Sequence, residues 1–466
     1  MFSSEIYLER RKELRKSMAS GVILILGNDE APINYAGNTY RFRQDSNFNY
    51  FFGLNLPALA GIIDLEEGTD CLYGDEQQLD DIIWSGELPS LASLASKAGI
   101  GSVYPSRELK NSLMMAIRKG RKVHFLPPYR SQNKIKLSYL LGLMPDELSN
   151  YASQALIKVV VALRSTKQAC EIEELDAAAV TGYKMHCAAM QLCKPGVYEY
   201  NIAGFIEGIA AAAGGSTSFP IILSQQSQIL HNHDHSEVLK EGALMITDAG
   251  AENASGYASD FTRTVPVGGK FSQKQADIYN IVLAANNQAI KMAKPGVRYC
   301  EVHRASARII AEGLKNVGLM KGDVDEAVAS GAHALFFPHG LGHMMGLDVH
   351  DMEDLGENYV GYDDETTRSN QFGTAYLRFG RRLQPSFVLT VEPGIYFIPA
   401  LIHHWESEKI NSSFINFAKL HEYFDFGGIR IEDDILITHN SCRLLGKRRI
   451  PVTISEVEAE MAKAEY

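Results

Sequence analysis

The sequence predicts an α+β protein of two domains, and three observations support this. First, 466 residues with 45% hydrophobic content are ample for more than one core. Second, short apolar runs alternate with helical stretches over about the first 150 residues only. Third, long helical stretches and strand-like segments are segregated beyond that point, which favours a mostly antiparallel, curved sheet with helices beside it.

The first domain, predicted for residues 1–160, has the alternation of an α/β fold. GVILILG (21–27) and KVHFLP (122–127) are strand-like, and AGIIDLEEGTDCLYG (60–74) predicts two strands around a central turn. Apolar residues recur at helical spacing over 107–119. No cluster of catalytic side chain types stands out here, so we expect the chemistry to lie in the second domain.

The second domain is predicted for residues 161–450, and residues 451–466 form a tail that ends in a helical pattern. It begins with a long helix over 168–192, which Pro195–Gly196 stops. The same periodicity predicts further helices at 199–213, 272–293 and 299–316.

Charge and composition exclude several classes of function. The net charge is −11 and the pI is near 5.7, whereas a nucleic-acid-binding protein would usually be basic. The N-terminal segment lacks the apolar stretch of a signal peptide, and no run of 18 apolar residues occurs. Six cysteines without a CxxC pair are ordinary for reduced thiols. We therefore expect a soluble, cytoplasmic protein that binds neither nucleic acid nor a membrane.

A pair of carboxylates lies in a predicted hairpin. ALMITDAGAE (243–252) and YASDFTRTVPV (257–267) are strand-like and flank a four-residue turn. With the tip at Ala254, Asp248 would lie directly opposite Asp260 on one face of the ribbon. Two solvent-facing aspartates are the simpler interpretation, but an unpaired carboxylate in the apolar strand around Asp248 would be costly. We therefore favour a shared metal site.

Three histidines follow in FFPHGLGHMMGLDVHDM (336–352), where Gly340 and Gly342 argue against a regular helix. A lone histidine is more often structural than a ligand, but three so close together, among glycines that let the backbone approach closely, favour a functional site. Glu392 lies in VLTVEPGIYF and Glu432 in GGIRIEDDILIT, both otherwise apolar and strand-like. A buried glutamate needs a partner, so each is suggestive.

Together these segments supply four carboxylates and one imidazole, each in a segment that we expect to be a strand: Asp248, Asp260, His343, Glu392 and Glu432. Such a set suits two hard or borderline divalent cations, manganese before zinc, with cobalt or iron also acceptable. Two metal ions held this way can share and ionise one water, which indicates a hydrolase.

A competing metal pattern is HNHDH (231–235), which is similar to the HxHxDH run of metallo-β-lactamase-like hydrolases. Its spacing is one residue short and its flanking pattern differs. We therefore favour the five dispersed ligands over this alternative.

The same segments resemble a known family. Six strings are similar to those of the pita-bread fold of methionine aminopeptidase, aminopeptidase P and prolidase: LHN (230–232), TDAG (247–250), YASDFTRTVPVGGKFS (257–272), HGLGHMMGLDVHD (339–351), TVEPGIYF (390–397) and GGIRIEDD (427–434). FRQDSNFNYFFG (42–53) and IIWSG (82–86) are similar to the N-terminal domain of aminopeptidase P and prolidase. The resemblance implies a creatinase- and aminopeptidase-P-like α/β domain followed by a pita-bread catalytic domain of the proline-specific branch.

The resemblance also implies a mechanism. Asp248 would bind one metal ion terminally, Asp260 and Glu432 would bridge two, and His343 and Glu392 would complete the second. A metal-bridging hydroxide would then attack the carbonyl of an N-terminal Xaa–Pro bond, as in Xaa-Pro aminopeptidase. Glu392 could also take and return the proton.

Further roles follow from the same resemblance. His350 and His339 would hold the substrate and stabilise the oxyanion, and His231 would line the proline side. Arg430, two residues before the glutamate ligand, would orient the ligands from behind, and Tyr396 could do the same. A plain salt bridge is the alternative for Arg430.

The family evidence divides on substrate length. Arg378 stands 14 residues before Glu392, where prolidase has an arginine that grips the carboxylate of an Xaa-Pro dipeptide. The segment after Tyr396 is also prolidase-like. The spacing from His231 to Asp248 and the string YRFRQDSNF look more like aminopeptidase P, which accepts longer peptides. Arg378 could instead belong to a solvated basic cluster.

Trp84 is a further candidate for substrate binding. In the family an aromatic residue near this point of the first domain can reach an active site, sometimes that of a neighbouring subunit. That role would require a homo-oligomer, a dimer or larger. The alternative is a core tryptophan.

Two other classes of function remain open. The pita-bread fold also serves in non-catalytic binding modules, which should have lost ligands that this chain retains. A metal-free creatinase-like hydrolase would share the architecture without needing this ligand set.

Overall fold

The computed structural model describes residues 2–463, and the chain forms two compact units. Unit 1 comprises the chain up to Arg164 together with Asp354–Tyr359. Unit 2 comprises Ser165–Glu353 and the chain from Val360 onward. The sequence pattern did not indicate the short return to unit 1, and the domain boundaries at 160 and 450 stay predictions.

Unit 1 contains short strands and amphipathic helices in alternation. The strands are β1 (Val22–Leu26), β2 (Pro32–Tyr35), β3 (Asn38–Thr39), β4 (Ala60–Asp64), β5 (Asp70–Tyr73), β6 (Ser102–Tyr104) and β7 (Val123–His124). A five-stranded mixed sheet has the order β6-β5-β4-β1-β7, and its outer pairs are parallel. The two strands expected over 60–74 are thus confirmed as β4 and β5.

The helices of unit 1 are α1 (Ser4–Lys16), α2 (Ser46–Phe52), α3 (Leu79–Ser85), α4 (Leu91–Lys97), α5 (Leu109–Arg118), α6 (Ser131–Leu141), α7 (Leu148–Tyr151) and α8 (Gln154–Ser165). The apolar faces of α5 and α6 join β1 and β4 in one buried core, which includes Leu24, Ile62, Leu113 and Leu137. Over 107–119 the predicted helix is present, preceded by a 3₁₀ turn at Ser106–Glu108.

The helices numbered in unit 2 are α9 (Ala169–Leu192), α10 (Glu199–Ala212), α11 (Gln273–Met292), α12 (Tyr299–Asn316), α13 (Val324–Ala329), α14 (Glu357–Gly361, which begins in unit 1), α15 (Pro399–Ser407), α16 (Phe417–Leu420) and α17 (Ile454–Met461). The four long helices lie within two residues of their predicted ends. Capping boxes begin α9, α11 and α17, which fixes their first turns. The tail prediction over 464–466 lies outside the described residues.

The strands of unit 2 are β8 (Ser216–Thr217), β9 (Ile222–Ser224), β10 (Leu244–Ala249), β11 (Ala251–Glu252), β12 (Phe261–Pro266), β13 (Val388–Val391), β14 (Gly394–Tyr396), β15 (Gly428–Arg430), β16 (Asp433–Ile437) and β17 (Cys442–Leu444). All their pairings are antiparallel, as expected. The expected sheet is divided into smaller ones, β12-β10-β9 and β13-β16-β17 among them, and a bridge between Thr262 and Glu432 links those two.

Pairs of helices cover this sheet. α9 contacts β10, β11 and β12, and α11 contacts β13, β14 and β15. Strands β10, β12, β13 and β16 are buried along their whole length. Over residues 2–463, no helix is both long and apolar enough to cross a bilayer.

Candidate active site

A cavity of about 590 Å³ in unit 2 collects the sequence-predicted site residues. Its lining includes ten of them: His231, Asp248, Asp260, His339, His343, His350, Arg378, Glu392, Arg430 and Glu432. Tyr396 is buried directly behind, with its hydroxyl on His339 and Arg430. Residues that lie up to 200 positions apart in the sequence thus meet at one place, as a catalytic site requires.

The first carboxylate pair lies on the β10–β12 hairpin, but the predicted register was wrong. Asp248 is paired with Thr262, two residues beyond Asp260. The tip lies at Ser255, because the Asn253 side chain accepts the N–H groups of Ser255 and Tyr257 and draws the turn one residue further along. A shift of two residues preserves the face of a strand. Asp248 and Asp260 are therefore diagonal neighbours that face the same cavity.

The expectation that each potential ligand lies within a strand was also wrong for four of the five. Only Asp248 is inside a strand. Asp260 directly precedes β12, Glu392 directly follows β13, and Glu432 separates β15 from β16. Pro393, which cannot donate to a ladder, follows Glu392, so the strand ends there. Interrupted strand ends let these carboxylates point inward without breaking a regular ladder.

His343 lies in an irregular segment that runs close to β13. A Cβ atom on Gly342 would lie 2.1 Å from the carbonyl oxygen of Thr390, and one on Gly340 would lie 2.6 Å from Cα of Leu377. Only glycine permits this approach. The backbone N–H of His343 donates to Oγ1 of Thr390, 3.1 Å away. The glycines therefore bring the imidazole to the carboxylates, which accords with the expected absence of a helix.

The protonation state of His343 follows from its hydrogen bond. Nδ1 lies 3.0 Å from the carbonyl oxygen of Met344, which can only accept, so Nδ1 carries the proton. The lone pair of Nε2 then faces Oδ2 of Asp260 at 3.4 Å and Oε1 of Glu392 at 3.8 Å. A lone pair directed at two carboxylates is repulsive unless a proton or a metal ion lies between them. This is the arrangement of a metal-ligating histidine.

The other donors fit the same requirement. Ligand atoms of Asp260, His343 and Glu432 lie within 4.8 Å of one another, and they form the one such group of three or more within residues 2–463. Oδ1 of Asp248 and Oδ1 of Asp260 are buried without a hydrogen-bond partner among the described residues. Buried carboxylate oxygens are costly unless they are paired or coordinate a cation. The donor set therefore fits divalent metal ions.

The pKa values of the carboxylates also indicate that this site would be stabilised by a cation. Burial and the charges of neighbouring carboxylates raise the pKa of Asp260 and of Glu432 well above the usual range. Burial also raises the pKa of Glu392, although His343 opposes it. Like charges crowded in a buried space favour protonation, and a cation would reverse that preference.

Arg430 anchors the rear of the site. Its Nη2 donates to Oδ2 of Asp248 at 2.6 Å, Nη1 to the hydroxyl of Tyr396 at 2.7 Å, and Nε to Oγ1 of Thr262 at 3.0 Å. Burial alone would lower the pKa of Arg430, but Tyr396 and the carboxylates of Asp248, Glu432 and Glu392 raise it, so the guanidinium stays charged. Arg430 therefore forms the salt bridge, which belongs to a larger network of hydrogen bonds. Oδ1 of Asp248 is outside this network and faces the cavity.

His339 is held on both ring nitrogens. Nδ1 donates to the carbonyl oxygen of Gly340 at 2.8 Å, so Nε2 accepts from the hydroxyl of Tyr396 at 3.0 Å. Burial lowers the pKa of His339 to about 3, so the ring is neutral. A contact with a substrate oxyanion would require the Tyr396 bond to be exchanged.

His350, Glu353 and Arg378 form a second chain at the cavity wall. Nδ1 of His350 lies 2.5 Å from Oε2 of Glu353, and Oε1 of Glu353 accepts from Nη1 of Arg378. Burial lowers the pKa of His350 to about 4. The alternative for Arg378 was a solvated basic cluster with Arg381 and Arg382. This cluster is not formed, because Arg381 donates to the Val360 carbonyl and Arg382 to Glu365. Arg378 faces the cavity instead.

The HNHDH segment divides in space. His231 and His233 line the cavity, whereas Nδ1 of His235 donates to the carbonyl oxygen of Leu223 at 2.9 Å. None of the three belongs to a metal-ligand group found in the described part of the chain. The metallo-β-lactamase-like alternative therefore has no support in the structure.

Trp84 lies on α3 of unit 1 and its surface is 86% exposed. The alternative of a core tryptophan was therefore wrong. A large exposed aromatic side chain is available for binding, and its role in substrate contact stays a prediction.

Sequence reasoning missed the residues that support the ligands. Thr262 donates to Oε2 of Glu432 at 2.6 Å, Thr390 Oγ1 lies 3.4 Å from Oε1 of Glu392, and Oδ2 of Asp434 accepts the N–H of Asp260. Each lies two residues from a potential ligand, which is the spacing that places side chains on one face of a strand. That spacing was the available signal.

Comparison with known proteins agrees with this geometry. Residues 173–439 match the family described as Metallopeptidase family M24, and residues 7–124 match the aminopeptidase P N-terminal domain. The chain is 31% identical over 464 residues to the Xaa-Pro dipeptidase of Homo sapiens, covering 97% of this chain and 91% of that protein. It is 31% identical over 477 residues to the Xaa-Pro aminopeptidase of Escherichia coli, covering 99% and 98%.

Solved structures give the same result. Escherichia coli aminopeptidase P with the inhibitor Pro-Leu has a TM-score of 0.80 at 30% identity, covering 99% of this chain and 98% of that one. The aminopeptidase PepP of Pseudomonas aeruginosa has a TM-score of 0.81 at 28% identity, with the same coverage. The likeness thus spans nearly the whole of each chain.

Proposed function

This chain belongs to metallopeptidase family M24, and we propose that it is a metal-dependent exopeptidase that hydrolyses the bond between an N-terminal residue and a following proline. The expected fold, an aminopeptidase-P-like α/β domain followed by a pita-bread catalytic domain, is confirmed by the matches over both. The observation that carries the proposal is one cavity lined by five potential metal ligands and three further predicted histidines. The names of the relatives support the substrate class.

Divalent metal ions follow from the family and fit the buried donors. When bound, two such ions would lower the pKa of a shared water towards neutrality and polarise the scissile carbonyl. We assign their binding to Asp248, Asp260, His343, Glu392 and Glu432, which would hold them in this cavity. Manganese is our first choice because four carboxylates are hard ligands, and zinc, cobalt or iron would also fit.

Glu392 is the proton carrier in this proposal. The carboxylate of Glu392 lines the cavity beside the other proposed ligands, where it can accept a proton from the attacking water and release it again. It would take a proton from the attacking water and return it to the prolyl nitrogen as the peptide bond breaks. Oγ1 of Thr390 lies 3.4 Å from Oε1 of Glu392 and helps to orient the carboxylate.

Three histidines border the space left for the substrate. Nδ1 of His350 forms the hydrogen bond with Glu353, so Nε2 on the other side of the ring is directed away from Glu353. His339 is positioned by Tyr396, and His231 lines the cavity together with Phe219 and Leu230. We propose that His350 and His339 hold the peptide near its scissile bond and that His231 lines the proline side.

A second candidate is an Xaa-Pro dipeptidase in which Arg378 grips the free prolyl carboxylate. The observation that favours it is the position of Arg378 on the cavity wall. A guanidinium there could form a bidentate contact with a carboxylate. The human relative is named for that activity.

The decisive experiment compares Ala-Pro-Ala hydrolysis by manganese-loaded wild type and Glu392→Gln. We expect kcat to fall at least 100-fold, because acid–base groups contribute on the order of 10²–10⁴. Circular dichroism and urea unfolding check that the fold persists, and Glu365→Gln, at an exposed glutamate outside the cavity, is the control. Full activity of Glu392→Gln would contradict the mechanism. Wild type that binds no metal and cleaves no peptide would favour a binding module.

Finer statements extend the proposal. We infer a homo-oligomer in which Trp84 of one copy reaches the substrate of another, because this side chain is exposed. Sedimentation and a KM increase for Trp84→Ala test it, and a monomer with unchanged KM would contradict it. We also propose a cytoplasmic location and no binding of nucleic acid or membranes. No disulfide joins the six cysteines, all of which are described, and fractionation of cells would check the location.

A further inference from the structure

Glu353 contacts two residues of the proposed substrate site but has no role in the function proposed so far. Its Oε2 lies 2.5 Å from Nδ1 of His350, and its Oε1 accepts from Nη1 of Arg378. The carboxylate of Glu353 and the guanidinium of Arg378 are each about one-third exposed, at 35% and 34%. The pair is therefore not sealed from water, and its arginine lines the cavity.

The segment that carries Glu353 is held in place by its neighbours. Asp351 forms an ion pair with Lys167 at 2.9 Å in which both side chains are 1% exposed. Met352 follows with a φ of 64°, a left-handed conformation that is uncommon for a residue with a long side chain. Such backbone persists only where the surroundings impose it. The direction of the Glu353 side chain towards Arg378 is thus built into the fold.

The charge of Glu353 bears on what Arg378 can bind. Burial opposes ionisation, but the hydrogen bond from the His350 ring and the positive charge of Arg378 lower the pKa of Glu353 to about 2. The arginine is therefore already neutralised when a substrate arrives. A dipeptide would bring its prolyl carboxylate next to an ionised carboxylate, and like charges at such a distance repel. A longer peptide has an uncharged amide at that position and meets no such repulsion.

We propose that Glu353 determines specificity by neutralising Arg378 towards a free prolyl carboxylate, so that the cavity favours peptides that continue beyond proline over Xaa-Pro dipeptides. This inference rests on the proposed function and narrows its substrate class. The opposite possibility is that Glu353 orients Arg378 for gripping the carboxylate. The two differ in sign, because removing the charge of Glu353 would raise dipeptide cleavage in the first case and lower it in the second.

The test uses two substrates that differ only in charge, Ala-Pro and Ala-Pro-amide, with Ala-Pro-Ala alongside. Wild type should cleave the amide and the tripeptide with a higher kcat/KM than Ala-Pro. Glu353→Gln keeps an oxygen for His350 but removes the charge. We expect it to raise kcat/KM for Ala-Pro relative to the amide roughly tenfold, about 1.4 kcal/mol, mainly through a lower KM.

Two further variants isolate the effect. Glu365→Gln removes the charge from another glutamate–arginine pair, with Arg382 on the exposed surface, and should leave the ratio unchanged. Adding Arg378→Ala to Glu353→Gln should abolish the gain, because the gain requires the positive charge of Arg378 opposite the substrate carboxylate. An unchanged ratio in Glu353→Gln, or a lower one, would overturn the proposal.

Two other outcomes are kept distinct. Wild type that cleaves none of the three peptides would refute the proposed function itself. If only Glu353→Gln is inactive, calorimetric binding of Ala-Pro and Ala-Pro-amide to that variant measures the same ratio. Equal preference for the two ligands in wild type and variant would then overturn the specificity role.

Discussion

Two arginines that line the cavity, Arg430 and Arg378, are each paired with a carboxylate, and the two pairs differ in burial. Arg430 and Asp248 are joined at 2.6 Å with side chains 4% and 11% exposed. Arg378 and Glu353 are also joined, with about one-third of each side chain exposed. The first pair is locked by Tyr396 and Thr262 as well. The second remains accessible to water and to a substrate.

The difference in burial determines whether a charged pair contributes to stability or can exchange its partner for a substrate. A buried charge that loses its partner is strongly unfavourable, so Arg430 and Asp248 depend on each other. An exposed pair contributes little to stability and can be exchanged for a substrate contact at small cost. We therefore expect Asp248 to serve the proposed metal site through a fixed geometry, and we propose that Glu353 acts on substrate choice.

The largest effect should come from breaking the buried pair. Arg430→Ala leaves the carboxylate of Asp248 buried without its partner, and we expect the free energy of unfolding to fall by about 3–5 kcal/mol. Urea unfolding of the metal-free protein measures it. Arg382→Ala, which removes an exposed arginine paired with Glu365, is the control and should have no measurable effect. If Arg430→Ala lost no more stability than Arg382→Ala, the buried pair would contribute no more than an exposed one.

Metal binding should change the free energy of unfolding by less than the Arg430→Ala substitution does. Ions that bind only the folded protein stabilise it, by about 2.7 kcal/mol at 100 times the dissociation constant. Asp260→Asn should lose most of the stabilisation by metal. Glu353→Gln should retain it, because Glu353 is not among the proposed ligands. Thermal unfolding with added manganese or with a chelator gives the answer. An equal gain in wild type and Asp260→Asn would argue against ligation by Asp260.

The smallest effect is expected from Glu353→Gln on stability. At pH 7 the free energy of unfolding should change by less than about 1 kcal/mol, after allowance for solvent screening. The pKa of Glu353 is lowered to about 2 in the folded protein, against about 4.3 when unfolded. Its stabilising contribution is therefore complete above pH ~4.3 and is lost as the pH falls towards 2. A difference between wild type and variant that grows below pH 4 would contradict this.

Much of the site could be predicted because ligand chemistry leaves local signals. Asp248 and Glu432 stand out as carboxylates in apolar segments, and the glycines near His343 indicate a close backbone approach. The cavity contains all five potential ligands. The role of each ligand stays a prediction.

Other features were beyond the sequence pattern. The hairpin register depended on the Asn253 side chain, which moved the tip to Ser255. The interruption at Glu432 depended on its bridge to Thr262 in another sheet. Such contacts join residues far apart in the chain, and periodicity reports only on local structure.

By itself, the sequence determined the two-domain α+β class, the long helices and the set of donor atoms, since each rests on local periodicity or residue chemistry. Only the tertiary structure decided which charges are shared. It placed Arg430 on Asp248 and Glu353 between His350 and Arg378. The physical reason is that a charge interacts with whatever the fold brings near it, and its strength depends on burial.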